Sequence, residues 1–306
     1  MDVVAVSDAP KARAGFVALV GRPNVGKSTL LNHVLGEKIA IVSAKAQTTR
    51  QRLKGVLTRP EGQIVFVDTP GIHKPHHLLG EQLVEHARRA LTEVDLVWML
   101  VDGTVAPGKG DRYVAEMVQA AKRPVMLVIN KLDMVGKAER TKHVADYEAL
   151  GQWARTFVVS AKHGEGIDEL VAATMAALPE GHPFYPEDEL TDQPMRAIAA
   201  ELVREQIFRQ TGEEVPHSTA VLVEEYKYRE AQGMTYILAR IIVERSSQKA
   251  IVIGKGAAKL RSIGAEARAA IERMAGTPVY LDLKVEVIPN WRDQKHHLRE
   301  LGYLVD

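Results

Sequence analysis

The chain of 306 residues has no cysteine, which removes a disulfide framework and any thiolate metal site and fits a reducing, cytoplasmic setting. It has no excess of either charge. Forty Lys and Arg stand against 39 Asp and Glu, a formal net charge of +1 at pH 7, so the molecule is not basic all over. A basic patch offset by acidic stretches stays open, and global charge alone decides nothing about nucleic acid. No apolar run approaches the roughly 20 residues needed to span a bilayer. The opening "MDVVAVSDAPKARA" lacks the apolar core of a signal peptide, so a soluble protein is expected. There is no internal repeat and no low-complexity tract. What is present is ordinary globular composition, 46% hydrophobic and 26% charged, in a length that suggests about two domains.

The first half alternates short β-branched runs with helical patterns: "GFVALV" (15–20), "QIVFVDTP" (63–70), "VDLVWMLVDG" (94–103), "PVMLVINKLD" (124–133) and "TFVVSAK" (156–162). Near-continuous apolar strands spaced by helix-length segments predict a doubly wound, mostly parallel α/β sheet covered on both faces. Ligands of such sheets bind beyond the carboxyl ends of the strands, where each run ends in a polar or glycine-bearing cluster. "LPEGHPFYPEDELTDQP" (178–194), rich in proline and acid, reads as an interdomain linker. Beyond it, Met195, Ile198, Ala199, Leu202, Val203 and Ile207 fall at helical spacing. The runs 218–228 and 234–245 then predict a hairpin. "VYLDLKVEV" (279–287) puts Val279, Leu281, Leu283, Val285 and Val287 on one strand face, and "WRDQKHHLRELGY" closes the chain as a helix. Between hairpin and strand, "IVIGKGAAKLRSIG" (251–264) reads as a strand-like run, a tight glycine pair and a helix start. The second half is therefore α+β, in the order α-β-β-α-α-β.

"GRPNVGKS" (21–28) matches G-x-x-x-x-G-K-[ST] after a strand and before the helical "TLLNHVLG". Gly21 and Gly26 let backbone N–H groups close around phosphate oxygens, the Lys27 ammonium reaches the β/γ-phosphates, and the Ser28 hydroxyl ligates Mg²⁺. The helix N-terminus adds a favourable dipole. "DTPG" (68–71) closes a strand, so that Asp68 can hold Mg²⁺ through water and the Gly71 N–H can meet a γ-phosphate. "NKLD" (130–133) closes another. The ionised Asp133 accepts only, which suits the adjacent N1–H and N2–H donors of guanine. Asn130 can bond the ring's other edge, and the Lys131 stem can cover its face. In "SAK" (160–162), the Ala161 N–H can meet guanine O6, with Lys162 packing opposite Lys131. Each tetrapeptide alone also fits a plain surface turn. Four in order at strand ends do not.

The set resembles a Ras-like, translation-factor-type GTPase over residues 14–178. The resemblance carries nucleotide contact to Gly21, Arg22, Pro23, Asn24, Val25, Gly26, Lys27, Ser28 and Thr29; to Asp68, Thr69, Pro70 and Gly71; and to Asn130, Lys131, Asp133, Ser160, Ala161 and Lys162. It implies GTP as substrate, GDP as product and Mg²⁺ at Ser28, Thr49 and Asp68, with Thr48 as the reserve for Thr49. Lys27, Thr49, Gly71 and Asn24 are the catalytic candidates. Ile72 stands where such enzymes carry a water-orienting glutamine, and isoleucine cannot bond the attacking water. In relatives, an asparagine placed like Asn24 helps coordinate K⁺, so K⁺-stimulated hydrolysis is expected, against a purely loop-shaping role. "GIHKPHHLLG" (71–80) is read as the second switch. His73, His76 and His77, like His296 and His297, are read as solvated rather than metal-binding.

The second glycine loop has no serine or threonine for magnesium and is not another nucleotide site. Its setting resembles a KH domain, whose short G-x-x-G loop clamps single-stranded RNA backbone beside an apolar groove. Gly254, Lys255, Gly256 and Ala257 occupy that loop, where Ala257 replaces the usual glycine. The alanine is acceptable provided the position does not need positive φ. Ile253, Lys259 and Arg261 complete the RNA-binding candidates; Lys249, Arg268 and Arg273 extend the positive charge, and Ile251 and Ile263 are either groove or core. The joined halves resemble the Era family of bacterial GTPases, with residues 14–178 as GTPase domain, 179–194 as linker and 195–306 as KH domain with a C-terminal helix. That resemblance implies a monomeric, cytoplasmic GTP-hydrolysing switch that recognises the 3′ end of small-subunit ribosomal RNA during small-subunit assembly. It also carries peripheral attachment to the inner face of the cell membrane, though no segment demands it. The rival reading is a GTP-controlled scaffold that binds protein partners or membrane through the second domain.

Overall fold

A computed structural model describes residues 12–42, 49–50, 52–73, 75, 77–212 and 214–304. The first half runs β1 (Arg13–Val20), α1 (Lys27–Leu35), β2 (Leu53–Arg59), β3 (Gly62–Asp68), α2 (Leu78–Thr92), β4 (Leu96–Asp102), α3 (Lys109–Ala120), β5 (Val125–Asn130), α4 (Lys137–Glu148), β6 (Arg155–Val159) and α5 (Ile167–Ala177). The strands order as β2-β3-β1-β4-β5-β6. All neighbours are parallel except β2, which is antiparallel to β3. Central strands such as β4 and β5 are buried nearly throughout because helices cover both faces. On one side α1 and α5 bring Leu30, Leu31, Leu170 and Met175 onto Leu19, Phe66 and Trp98. On the other, α2, α3 and α4 bring Leu91, Val118 and Tyr147 onto Val20, Met99 and Ile129.

The edge strand β2 was not foreseen. Its "LKGVLTR" mixes charge with a central glycine, both strand-weakening signals. The glycine is there for packing: a Cβ on Gly55 would lie 2.6 Å from Leu35 and 3.1 Å from Ile39. Residues 179–194 form no helix or strand, and they are hydrogen-bonded to the first half. The Ala14 N–H donates to Pro179 O (3.1 Å), Gly181 N–H to Ala12 O (2.9 Å) and Val56 N–H to Leu190 O (2.8 Å). The buried Gln63 amide accepts from the N–H groups of Phe184 and Tyr185 and donates to Tyr185 O.

The second half runs α6 (Met195–Gln210), β7 (Ala220–Arg229), β8 (Met234–Val243), α7 (Ser246–Ile253), α8 (Ala258–Ala275), β9 (Val279–Val287) and α9 (Lys295–Glu300). The sheet is β7-β8-β9, antiparallel then parallel. Its inner face meets α6, α7 and α8 through Leu202, Val203, Ile237, Ile241, Val252, Ile263 and Ile271. Residues 251–253 correct the strand-like reading: they are the last turn of α7. β-branched composition argued for a strand, but Gln248 Oε1 accepts from the N–H groups of Glu244 and Arg245, which starts a helix. That helix then buries Val252 while Ile251 stays 43% exposed. The outer face of the sheet is covered at one end by α9 and also by α2, as Leu79 and Leu83 pack with Ile242, Trp291, Leu298 and Tyr303. The two halves therefore share a core. Among the described residues no helix is long and apolar enough to cross a membrane.

Candidate functional site

The carboxyl ends of β1, β3, β5 and β6 lie along one sheet edge, so their loops converge. The loop after β1 turns tightly enough to need Gly26 at φ 107, where a Cβ would meet Asn130 Nδ2 at 2.2 Å. Gly71 is equally constrained, since its Cβ would sit 2.8 Å from the Pro23 backbone. The backbone of the "DTPG" turn thus lies against the phosphate-type loop.

Lys27 is buried, and its ammonium donates to the carbonyls of Gly21 (3.2 Å) and Arg22 (3.1 Å). Burial lowers its pKa from 10.5 to about 8, with the Asp68 charge pulling upward. Next to it, Ser28 Oγ donates to Asp68 Oδ2 (2.9 Å), Thr49 Oγ1 does the same (3.2 Å), and the two hydroxyls lie 3.1 Å apart. Thr48 lies outside the described residues. Burial raises the Asp68 pKa against the opposing pull of Lys27, Ser28 and Thr49. Asp68 Oδ1 is buried with no hydrogen-bond partner among the described residues. Two hydroxyls and a carboxylate with one orphaned oxygen form a hard-oxygen cluster that fits Mg²⁺, and a cation there would relieve the buried charge. Thr69, by contrast, turns its hydroxyl inward to Leu19 O (2.7 Å). Ile72 is 1% exposed and packs into the core, so it offers nothing to a water at the sheet edge.

The base-side loops are cross-tied. Asn130 Nδ2 donates to Val25 O (2.8 Å), and its Oδ1 accepts from the Ala161 N–H (2.9 Å). The N–H foreseen for guanine O6 thus has a partner inside the protein. Lys131, at φ 66, donates to Asn24 O and to Asp102, both at 2.7 Å. That bond, with Thr104, outweighs burial and keeps the Asp102 carboxyl below its usual range. Asp133 stands 3.7 Å from His163. Ser160 Oγ is buried with no hydrogen-bond partner among the described residues, and Lys162 is exposed. Arg22 pairs with Asp111 (2.8 Å). Among the histidines, His77 is not solvated as expected: it is half-buried and caps α2 by accepting from the Gly80 N–H (3.0 Å), and burial lowers its pKa. His76 lies outside the described residues.

The second loop sits between α7 and α8. Gly254 (φ 69), Gly256 (φ 56) and Ala257 (φ 61) all take positive φ. The condition the sequence sets on Ala257, that its position not need positive φ, is not met: the residue is left-handed and forms the N-terminal cap of α8. Lys255, Arg261 and Arg268 are exposed, Lys259 is half-buried, and no ion pair among the described residues engages any of the four. Ile263 is core and Ile251 surface. Beside the loop, α8 and the edge strand β9 enclose a groove of about 440 Å³ lined by Leu260, Arg261, Gly264, Ala265, Arg268, Tyr280, Leu281 and Leu283. Sequence reading missed Leu260, Gly264, Ala265 and Tyr280. The available signal was Gly264 inside a helix, where a Cβ would approach Leu283 to 3.3 Å.

Comparison with known proteins agrees with both halves. A family model described as "50S ribosome-binding GTPase" matches residues 16–131, and a KH domain model matches residues 214–292. GTPase Era of Heliobacterium modesticaldum is 46% identical, covering 96% of this chain and 98% of the relative. GTPase Era of Geobacter metallireducens is 47% identical, covering 97% and 100%. Among solved structures, Era in complex with MgGDPNP and nucleotides 1506–1542 of 16S ribosomal RNA superposes with a TM-score of 0.93 at 42% identity, covering 96% of this chain and 100% of that one. With a P-loop α/β domain, a KH domain and near-complete coverage by relatives this similar, the chain belongs to the GTPase Era family.

Proposed function

We propose that this protein is a GTP-hydrolysing switch that binds the 3′ end of small-subunit ribosomal RNA during small-subunit assembly in the cytoplasm. The single observation that carries the reading is the pairing, in one chain, of the Ser28–Thr49–Asp68 oxygen cluster beside Lys27 with a glycine loop whose cations form no ion pair among the described residues. The proposed units are 14–178, 179–194 and 195–306. The relative solved with MgGDPNP and 16S ribosomal RNA supports the choice of ligands.

In this reading Ser28, Thr49 and Asp68 hold Mg²⁺, which when bound supplies Lewis-acid stabilisation of phosphate charge. Lys27 exchanges its two loop carbonyls for the β/γ-phosphate oxygens of GTP, a full charge in place of two dipoles. Backbone N–H groups of residues 24–29 and of Gly71 complete the phosphate cradle. Asp133 accepts from guanine N1–H and N2–H, while Asn130 ties the phosphate loop to the Ala161 loop. Because Ile72 is withdrawn into the core, Asn24 at the loop crest is assigned a K⁺ ion in place of a water-orienting side chain. Lys255, Lys259 and Arg261 meet RNA phosphates, and the groove beside Tyr280 takes bases.

Calorimetry with GTP and ATP tests the first activity. GTP binds and ATP does not, and Asp133→Asn costs about 10- to 150-fold in GTP affinity, the range for loss of hydrogen bonding to a charged group. Equal affinity for both purines refutes the assignment. Binding of a single-stranded ribosomal 3′-end RNA tests the second. Affinity falls steeply with salt, and Lys255→Glu lowers both affinity and salt slope. An RNA signal independent of salt and of Lys255 would favour the scaffold reading instead.

A further inference from the structure

Arg50 follows Thr49 directly, and no sequence motif assigns it a task. Its side chain leaves the GTPase half and is 0% exposed within the second half. Nη1 donates to Thr219 O (2.7 Å); Nη2 donates to Pro216 O (3.2 Å) and His217 O (3.0 Å). The guanidinium carbon lies 5.8 Å from the Trp291 ring centroid, and Trp291 Nε1 donates to Ser218 O (2.8 Å). Four consecutive carbonyls, residues 216–219, thus converge on one pocket, three of them on Arg50. The turn that aims them is pinned by Thr219 Oγ1 donating to Val215 O (2.6 Å) and by the Ser218 N–H reaching Glu214 O (3.2 Å).

A pocket of carbonyls accepts only donors, and a forked planar cation reaches three of them from two separate nitrogens, a spread that the single nitrogen of an ammonium lacks. Taking a cation out of water into such a pocket, with no carboxylate hydrogen-bonded to it among the described residues, is expensive for stability alone. Burial, with Arg204 close by, lowers the Arg50 pKa to about 10. One peptide away, about 3.8 Å between Cα atoms, Thr49 places its hydroxyl on Ser28 and Asp68. The start of the same connection is also fastened to the second half: Lys38 pairs with the buried Glu205 of α6 (2.6 Å), and the Val42 N–H donates to the other Glu205 oxygen (3.3 Å).

We propose that Arg50 is a positioning residue: seated in the residue 216–219 carbonyl pocket of the KH half, it holds Thr49 at the Ser28–Asp68 oxygens, so that the KH half completes the hydrolytic site. This inference rests on reading that oxygen cluster as part of a GTPase centre. It assigns the KH half a share in hydrolysis besides RNA binding.

The test uses the full-length protein with Arg50→Ala, Arg50→Lys, Trp291→Phe and the Arg50→Ala/Trp291→Phe double variant. For each, the Mg²⁺ dependence of binding to a non-hydrolysable GTP analogue is measured beside GDP affinity and steady-state hydrolysis. Arg50→Ala raises the Mg²⁺ concentration for half-maximal analogue binding and lowers kcat, each within the roughly five- to 150-fold range of intersite coupling, with little change for GDP. Arg50→Lys recovers only part. Trp291→Phe moves the same two quantities in the same direction, and the double variant is no worse than Arg50→Ala, because both act through one pocket. Should Arg50→Ala fail to fold, Arg50→Lys and Trp291→Phe carry the comparison. Wild-type Mg²⁺ dependence in the folded variants overturns the proposal, as does an equal loss for GDP and analogue. In either case, guanine-selective hydrolysis by the wild type would leave the GTPase reading standing.

Discussion

Replacing Ala257 by glycine should stabilise the protein. Ala257 sits at φ 61, ψ 20 as the cap residue of α8. In that left-handed region the Cβ of an L-residue crowds the following carbonyl at a cost of about 1–2 kcal/mol. Glycine escapes the crowding but gives the unfolded chain more freedom to lose, about 0.4–1 kcal/mol. The difference favours glycine by about 1 kcal/mol. Gly276 offers the mirror control. It has φ 65 after the same helix with nothing within 4 Å of a built Cβ, so Gly276→Ala isolates backbone strain and should cost about the same amount. Equilibrium urea denaturation followed by circular dichroism reads both, as midpoint shifts of opposite sign with unchanged slope. RNA affinity of Ala257→Gly should not fall, since the loop already has the conformation that glycine prefers. A neutral or destabilising Ala257→Gly beside a destabilising Gly276→Ala would refute the claim that alanine is strained there.

Lys27 makes a pH-dependent prediction. Its pKa is about 8 in the folded, nucleotide-free protein against an ordinary 10.5, so the unfolded chain binds more protons between those values and stability rises with pH across that window. The penalty is fully present below about pH 8 and amounts to at most about 3.5 kcal/mol. Lys27→Met should therefore melt higher than wild type at pH 7 without nucleotide, lose that advantage towards pH 10.5, and lose GTP binding. A pH-independent difference in melting temperature would contradict it. Trp98 tests the core: its Nε1 donates to Thr174 Oγ1 (2.9 Å), and its ring lies 4.9 Å from that of Phe66. Trp98→Phe removes that bond and leaves a small cavity, so it should cost about 1–3 kcal/mol in urea denaturation without moving GTP affinity.

Much of this molecule was legible one residue at a time. A phosphate-type loop is written by Gly26, which alone tolerates φ 107 there, and by the residue types that follow it. Buried parallel strands are written as unbroken apolar runs because both of their faces are covered. The five strand runs, the α-β-β-α-α-β order and the inner face of β9 depend on such local patterns, and they are where the sequence placed them. Other features depended on partners far along the chain. β2 is a strand because β3 pairs with it, although its own composition argues against one. Residues 251–253 are helical because Gln248 starts the helix and Val252 has a core to enter. Ala257 takes a glycine's conformation because the turn into α8 imposes it. Which chemistry the loops carry can be read from the residues alone, since it depends on side-chain type and close spacing. That Arg50 lies in the carbonyls of residues 216–219 and that α2 packs under Trp291 emerges only from the folded chain, because the contacts that hold them join residues more than a hundred positions apart.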